Sequence, residues 1–278
     1  MRRYALVMFV MFVIILAGCG APPAERIDGD ISTVLDRAIE KGTGTFDHRV
    51  WDELVQAHVR DGGRHFDYPG LEQEEAKFAA YLDSLAEVDL ERLSSVEIEA
   101  LFINAYNAYT IRSVLDRVTE EGVFELESIR DIPDVFSRAT HTVGGFVLSL
   151  DNMEHNILRP LFKDPRVHFA VNCASTSCPP LPVQAFQGPS LDEQLDDVAR
   201  NTLTNPDYIA VEDDTLVVTK IMDWYGGDFV NPDFAGAEDN LPAYIAKYAT
   251  EAVRNWIAER GDDVPIRFRD YDWTLNRS

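Results

Sequence analysis

The sequence predicts an α+β fold, a helix-rich single domain with a small mixed or antiparallel sheet in its C-terminal half. Apolar residues recur at three- and four-residue steps in Glu72–Leu85 and Ser95–Val118, which indicates two strong helices. Short runs bounded by turn residues occur mainly after residue 140, and they indicate strands. The length permits one large core, so we expect one domain over residues 46–278, with its centre in residues 46–248.

Capping and turn residues place the elements of the first half. Ser32–Lys41 is predicted as a helix with Ser32 as its N-cap and Gly42 as its stop. Trp51–Val59 also has helical spacing, and Asp61-Gly62-Gly63 then turns the chain into a short HFDY strand.

Turns and short elements dominate the second half. Residues 128–136 are turn-rich, and Asp151 begins a short helix that Arg159-Pro160 closes. The remaining predictions are hairpins at Thr142–Leu150 and Tyr208–Lys220, a strand at Val167–Cys173, and helices at Ser190–Thr202 and Leu241–Arg260.

The N-terminus predicts export and a lipid anchor. Arg2 and Arg3 precede an apolar run of about thirteen residues, which suits a secretory signal and falls short of the roughly 20 needed to span a bilayer. The run ends in Leu16-Ala17-Gly18-Cys19, which resembles a bacterial lipobox. This resemblance implies a signal peptide over residues 1–18, lipid on Cys19, and a tether and leading helix over residues 19–45. Because Gly20 follows the cysteine, we expect an outer-membrane protein that faces the periplasm.

Charge limits the partners of the globular part. The formal net charge is −23, which argues against nucleic acid and anionic lipid headgroups as partners. The membrane is expected as a partner only through Cys19. No phosphate loop, dinucleotide fingerprint or G-x-S-x-G elbow occurs in the sequence, and no cofactor is predicted.

Five segments together resemble the family catalogued as domain of unknown function 547. They are LFINAYNAYTI, SIRDI, SLDNMEHNILR, DPRVHFAVNCASTSCPPL and DWYGGDF, beginning at residues 101, 128, 149, 164 and 223. The resemblance extends over about residues 46–248, with the segments in the family's order. It implies the domain but no reaction, because the family carries no assigned activity.

The segment HFAVNCASTSCPP, His168–Pro180, contains the main candidates for chemistry. On a regular strand, His168 and Cys173 would point to opposite faces, which disfavours a simple pair unless a bulge intervenes. Cys178 lies in the following loop and is the preferred nucleophile, with Cys173 as second choice. The base would be His168 or His155, whose imidazole Asp151 or Glu154 would orient.

Three interpretations of the cysteines remain open. They are a thiol-dependent hydrolase or acyl transferase, a structural disulfide between Cys173 and Cys178, or zinc ligands together with His155 and His168. No C-x-x-C or H-E-x-x-H spacing supports the zinc interpretation, and no metal is predicted. With a disulfide, the chain would be a non-catalytic binding or scaffolding lipoprotein.

Asparagines and aromatic residues complete the candidate site. Asn104 and Asn107 share a helix face, so they either orient the loop that contains the two cysteines or a histidine, or tie the helix to backbone groups of a neighbouring segment. Trp224 and Tyr225 are candidates for a groove wall, and Asp228 is a candidate polar member of the site. A polar helix against a sheet is similar to papain-like and transglutaminase-like folds, but there the nucleophilic cysteine begins the helix.

Overall fold

The structure is a computed structural model that describes residues 25–27, 29–117 and 126–278. Its α-helices over these residues are α1 (Asp30–Lys41), α2 (Arg49–His58), α3 (Tyr68–Glu72), α4 (Glu75–Glu87), α5 (Ser95–Leu115), α6 (Arg159–Phe162), α7 (Val167–Ala170), α8 (Leu191–Leu203), α9 (Ile221–Trp224), α10 (Gly226–Val230), α11 (Leu241–Tyr248) and α12 (Glu251–Arg260). Its strands are β1 (Val59–Arg60), β2 (His65–Phe66), β3 (His141–Val143), β4 (Phe146–Leu148), β5 (Ile209–Glu212), β6 (Thr215–Val218) and β7 (Ile266–Phe268).

The sheets are small, and the largest lies in the C-terminal half. β5 pairs antiparallel with β6 in the register Ile209 to Val218, and β6 pairs in parallel with β7. β3 and β4 form the predicted hairpin around Gly144-Gly145, and β1 pairs with β2. The helix-rich fold with a mixed three-stranded sheet confirms the predicted α+β class.

Helix α5 forms the centre of the hydrophobic core. Every residue from Glu97 to Ile111 is buried, because other elements surround this helix on all sides. It packs against α1, α4 and a π-helix at Asn152–Leu158. Polar side chains on such a helix need partners inside the protein, which explains the roles of its asparagines in the site described below.

The segment around His168 corrects the sequence prediction. Val167–Ala170 is a helical turn rather than a strand, and extended backbone begins only at Val171. Asp164-Pro165-Arg166 starts the turn, since the Asp164 carboxylate accepts the backbone N–H of Arg166 and the Asp164 carbonyl accepts that of Val167. A continuous buried apolar run is compatible with either structure, so its pattern could not separate them.

Other boundaries differ from the predictions for local reasons. Helix α1 begins at Asp30, before the predicted cap Ser32. The predicted helix Leu241–Arg260 is broken after Tyr248, where Thr250 caps α12 by accepting the backbone N–H of Val253. Pro160 does not end the helix, which continues to Phe162, because Asn156 O, the carbonyl four residues before the proline, accepts the backbone N–H of Ile27 instead.

The predicted signal peptide, Cys19 and much of the predicted tether lie outside the described residues. Within the described ranges, no helix combines the length and the apolar character needed to cross a membrane.

The last nine residues of the chain, 270–278, are called the C-terminal tail here. The tail packs against the loop from Cys173 to Cys178, which is called the cysteine loop here. The backbone N–H of Thr176 donates to Thr274 O at 2.9 Å, and that of Asn276 donates to Ala174 O at 3.1 Å. The tail also contacts β2, where Phe66 N donates to Asn276 O at 2.7 Å. The cysteine loop is therefore held by chain segments distant in sequence.

Candidate functional site

A cavity of about 420 Å³ brings most of the predicted site residues together. Its aromatic lining residues are Tyr106, Phe136, Trp224, Tyr225, Tyr271 and Trp273. Its ionisable and sulfur-containing lining residues are Asp151, Glu154, His155, His168, Cys173 and Cys178. The volume and the mainly apolar wall with a few polar groups are typical of a small-molecule site.

The two cysteines form a disulfide at the cavity wall. Their Cα atoms lie 6.3 Å apart, within the usual range for a cystine. Cys178 is buried, whereas Cys173 is half-buried. The Cys173 backbone N–H donates to Cys178 Sγ at 2.9 Å, and Ala174 between them has the left-handed backbone angle φ = 60°. The loop therefore holds a conformation that alanine adopts at a cost, and its neighbours must maintain it.

Asn107 maintains the backbone that leads into this loop. Its side-chain amide donates to Ala170 O at 3.0 Å, and its carbonyl accepts the backbone N–H of Asn172 at 2.7 Å. Asn172 continues the arrangement, since its side chain accepts the Ala174 N–H and donates to Pro179 O. Asn107 thus acts on the cysteine loop through backbone groups.

Asn104, one helical turn before Asn107, binds a different segment. It donates to Phe186 O at 2.7 Å and accepts the backbone N–H of Phe186 at 3.0 Å. Its amide also lies 3.2 Å from His48 Nδ1. Neither Asn104 nor Asn107 lines the cavity, and the two asparagines that share a helix face bind different segments of backbone.

His168 is fixed by a buried ion cluster behind the cavity wall. Its Nε2 lies 2.9 Å from Asp228 Oδ2, and the same carboxylate accepts Arg159 Nε at 2.7 Å. An ionised carboxylate only accepts hydrogen bonds, so His168 Nε2 carries the proton. The ring stacks on Tyr225 with centroids 3.9 Å apart. Burial would raise the pKa of Asp228, but hydrogen bonds from His168 and Arg159 outweigh it and lower the pKa to about 2.

Glu154 places a buried carboxylate between the two imidazoles. Its Oε1 lies 3.8 Å from Nδ1 of both His155 and His168. Burial would raise the pKa of Glu154, but its interactions with the imidazoles of His155 and His168 lower it to about 2. The wall of the cavity therefore keeps a negative charge at neutral pH.

His155 lies between charged side chains on the preceding and following turns. Arg159 Nη1 lies 3.3 Å from His155 Nδ1, and since arginine only donates, Nδ1 accepts. The neutral ring then carries its proton on Nε2, 3.9 Å from Asp151 Oδ1. Burial raises the pKa of Asp151. Arg159 thus bonds one ring nitrogen of His155, whereas Asp151 lies near the other without a hydrogen bond.

Tyr271 in the C-terminal tail lies against both sulfurs. Its hydroxyl oxygen is 3.1 Å from Cys173 Sγ and 3.3 Å from Cys178 Sγ, and it accepts the Ser175 hydroxyl at 2.9 Å. Burial raises the pKa of Tyr271, so the phenol remains a proton donor. Trp224 and Trp273 pack on its ring with centroids 4.7 and 4.6 Å away.

Sequence reasoning missed Tyr271, Trp273 and Arg159 as parts of the site. Arg159 was treated only as a helix end, although its i,i+4 spacing from His155 could have indicated contact. Tyr271 is 98 residues from Cys173, and no local pattern indicates such a contact. Among the residues that the structure describes, no group of three or more His, Cys, Asp or Glu side chains has an arrangement suited to a metal ion.

Comparison with known families agrees with the sequence resemblance over the middle of the chain. Residues 90–202 match the family described as "Protein of unknown function, DUF547". No curated protein and no solved structure matches the chain. The matched residues include α5, the π-helix and the cysteine loop, whereas Tyr225, Asp228 and the C-terminal tail follow them. The similarity to this family therefore covers the cysteines, both histidines and both asparagines of the candidate site.

Proposed function

We propose that the folded domain binds a small molecule or a peptide in the cavity at the cysteine loop. The observation that carries this proposal is the cavity of about 420 Å³ with its aromatic lining, in a wall where the Cys173–Cys178 disulfide occupies both sulfurs. The aromatic wall supplies apolar contact area, and the Glu154 carboxylate supplies a fixed polar contact.

A fragment screen by ligand-observed NMR on the oxidised protein tests the binding proposal. Fragments that occupy the cavity should lose binding in Trp224→Ala, because this side chain lines the wall. Trp256→Ala is the matched control, since Trp256 lies on α12 outside the cavity lining. Fragments that bind Trp224→Ala with the same affinity as the natural chain would contradict the proposal.

A second candidate is a thiol-dependent hydrolase or acyl transferase in the reduced protein. The observation that favours it is that both sulfurs, His155, His168 and the buried Glu154 line one cavity. Cys178 would be the nucleophile, with Cys173 as second choice. The base would be His168 or His155, and either imidazole must first give up a hydrogen bond, since His168 Nε2 is engaged with Asp228 and His155 Nδ1 accepts from Arg159.

Thiol titration of the mature protein without reductant separates the two candidates. Two free thiols, one of which reacts rapidly at neutral pH, would favour the enzyme, whereas none before reduction favours the binding domain. After reduction, Cys178→Ser should abolish labelling by an electrophilic probe if Cys178 is the nucleophile. Labelling that persists in Cys178→Ser rules out that assignment.

The anchor belongs to the same proposal. Cys19 would carry the lipid and hold the domain at the cell envelope, on the periplasmic side of the outer membrane, with residues 20–30 as part of the tether. Metabolic labelling with an alkyne fatty acid tests this directly. Cys19→Ser should lose both the label and the membrane fraction, and a membrane-bound, labelled Cys19→Ser protein would refute the assignment.

A further inference from the structure

We infer that the Cys173–Cys178 disulfide is chemically active in thiol–disulfide exchange with an external dithiol, with Cys173 as the attacked sulfur and Cys178 as the leaving thiolate. This goes beyond ligand binding, since it assigns a redox reaction to the cystine at the cavity wall. The inference rests on the different surroundings of the two sulfurs and on the way the loop is held.

Access distinguishes the sulfurs. Cys173 is half-buried and Cys178 is only 4% exposed, although both contribute to the cavity wall. An attacking thiolate must approach a sulfur directly, so the more accessible Cys173 is the better target. The sulfur that departs needs no access, but it must accept a negative charge.

Hydrogen-bond donors favour the charge on Cys178. The Cys173 backbone N–H points at Cys178 Sγ from 2.9 Å, and this donor serves only that sulfur. The Tyr271 hydroxyl lies 3.1 Å from Cys173 Sγ and 3.3 Å from Cys178 Sγ, so its proton can turn to Cys178 Sγ once that sulfur becomes the thiolate. Because Tyr271 accepts the Ser175 hydroxyl, its own proton remains for a sulfur. Donors aimed at a sulfur stabilise its thiolate and make it a better leaving group.

The loop does not depend on the disulfide for its conformation. The Ala174 backbone N–H donates to the Asn172 side chain, and the Ala174 carbonyl accepts the Asn276 backbone N–H. Thr176 and Ser177 donate their backbone N–H groups to the C-terminal tail, at Thr274 O and Asp272 O. These bonds remain when the sulfurs separate, so the reduced loop keeps both thiols at the cavity.

The reaction balances as a two-electron exchange. A thiolate of the external dithiol attacks Cys173 Sγ, the Cys173–Cys178 bond breaks, and Cys178 Sγ takes the electron pair as a thiolate. The second thiolate of the dithiol then attacks the first dithiol sulfur, which is bonded to Cys173 in the mixed disulfide, and releases Cys173 as a thiolate. The dithiol leaves as a disulfide, and the protein is reduced to two thiols.

Glutathione tests the direction of attack on the natural full-length chain. The oxidised protein is treated with reduced glutathione, quenched with acid and mapped by peptide mass spectrometry. We expect the mixed disulfide on Cys173. In parallel, dithiothreitol should reduce the protein in native buffer with an unchanged far-UV circular dichroism spectrum. An adduct on Cys178, or reduction that requires denaturant, would overturn the inference.

A pair of tyrosine variants separates thiolate stabilisation from a structural role. Tyr271→Phe removes the hydroxyl beside the sulfurs, whereas Tyr208→Phe removes one that donates to the Cys178 backbone carbonyl at 2.7 Å. In Cys173→Ser, which isolates Cys178, adding Tyr271→Phe should slow alkylation by iodoacetamide at pH 7 about tenfold. Adding Tyr208→Phe should change it less than about twofold. Equal slowing by both substitutions would show a merely structural effect and refute the assignment of Tyr271.

The result of the exchange experiment does not depend on whether the binding proposal is correct. Fragment binding is measured on the oxidised protein, whereas exchange is measured by the position of the glutathione adduct. A cystine that exchanges in a protein that binds no fragment would refute the binding proposal alone.

Discussion

Replacement of Asn107 by alanine should destabilise the domain strongly, because this side chain satisfies two buried backbone groups. The amide of Asn107 pairs with Ala170 O and Asn172 N, at 3.0 and 2.7 Å, and the side chain is almost fully buried. A buried polar group that loses its partner costs about 1–3 kcal/mol, so two of them predict a loss of about 2–6 kcal/mol. For a domain of this size, that loss lowers the melting temperature by roughly 5–20 °C.

Asn104→Ala provides the matched control. Asn104 also satisfies a buried carbonyl and a buried N–H, but both belong to Phe186. Urea unfolding of the oxidised proteins should therefore give similar losses for the two variants. Only Asn107→Ala should also increase the rate at which dithiothreitol reduces the Cys173–Cys178 disulfide under native conditions, since it releases the backbone before Cys173.

Two results would refute this reasoning. A loss of less than about 1 kcal/mol in Asn107→Ala would mean that the two backbone groups do not depend on the amide. An equal increase in the reduction rate for both variants would mean that the cysteine loop responds to general destabilisation and not to Asn107.

Three further predictions concern charge and packing. Because His168 and Arg159 hold the pKa of Asp228 at about 2, below its ordinary value of 3.8, the free energy of unfolding should fall as the pH drops from about 4 towards 2. Urea unfolding across this range should show a smaller fall in Asp228→Asn, and an identical fall would contradict the assignment. Burial and the charge of Asp164 raise the pKa of Glu99 to about 8, so the natural chain should lose stability as the pH rises from about 4.5 to 8, on the order of 5 kcal/mol. Glu99→Gln should remove that loss. Equal slopes of unfolding free energy against pH in this variant and the natural chain would contradict the assignment to Glu99. Gly188→Ala should cost about 1–3 kcal/mol, because its Cβ would lie 2.4 Å from Oε2 of the buried Glu97 and 3.2 Å from the backbone N and Cα of the same residue. Gly227→Ala, whose Cβ would meet nothing within 4 Å, should cost nothing, and equal denaturation midpoints for the two variants would contradict the clash.

Local patterns predicted most of the fold. The helices α2, α5 and α8 and both predicted hairpins lie where periodicity and turn residues placed them. Each of these signals depends on residues close in sequence, so tertiary packing does not change the element that it predicts. The segment Val167–Cys173 failed because residues buried on all sides show no periodicity that separates a helical turn from a strand. The prediction that His168 and Cys173 point to opposite faces of a strand was wrong for the same reason, since both side chains line the cavity.

The candidate site was predictable only in part because its connections are long-range. The HFAVNCASTSCPP segment and His155 were visible from residue types that carry chemistry. The contact of Tyr271 with the sulfurs and the pairing of Arg159 with Asp228 cross 98 and 69 residues of chain. Such pairs depend on how the tail and α10 pack, and no single sequence pattern encodes that packing.

The π-helix at Asn152–Leu158 explains how one short segment supplies several cavity residues. In an α-helix, residues 154 and 155 would point about 100° apart. The wider turn lets Asp151, Glu154 and His155 all line the cavity, and the Arg159 N–H bonds back five residues to Glu154 O. Widened turns of this kind are rare and occur often at functional sites. A wall that served only packing would not need three ionisable side chains at one surface, since burying them costs solvation. The local geometry therefore favours a cavity that handles a ligand or a reaction over one that merely fills space.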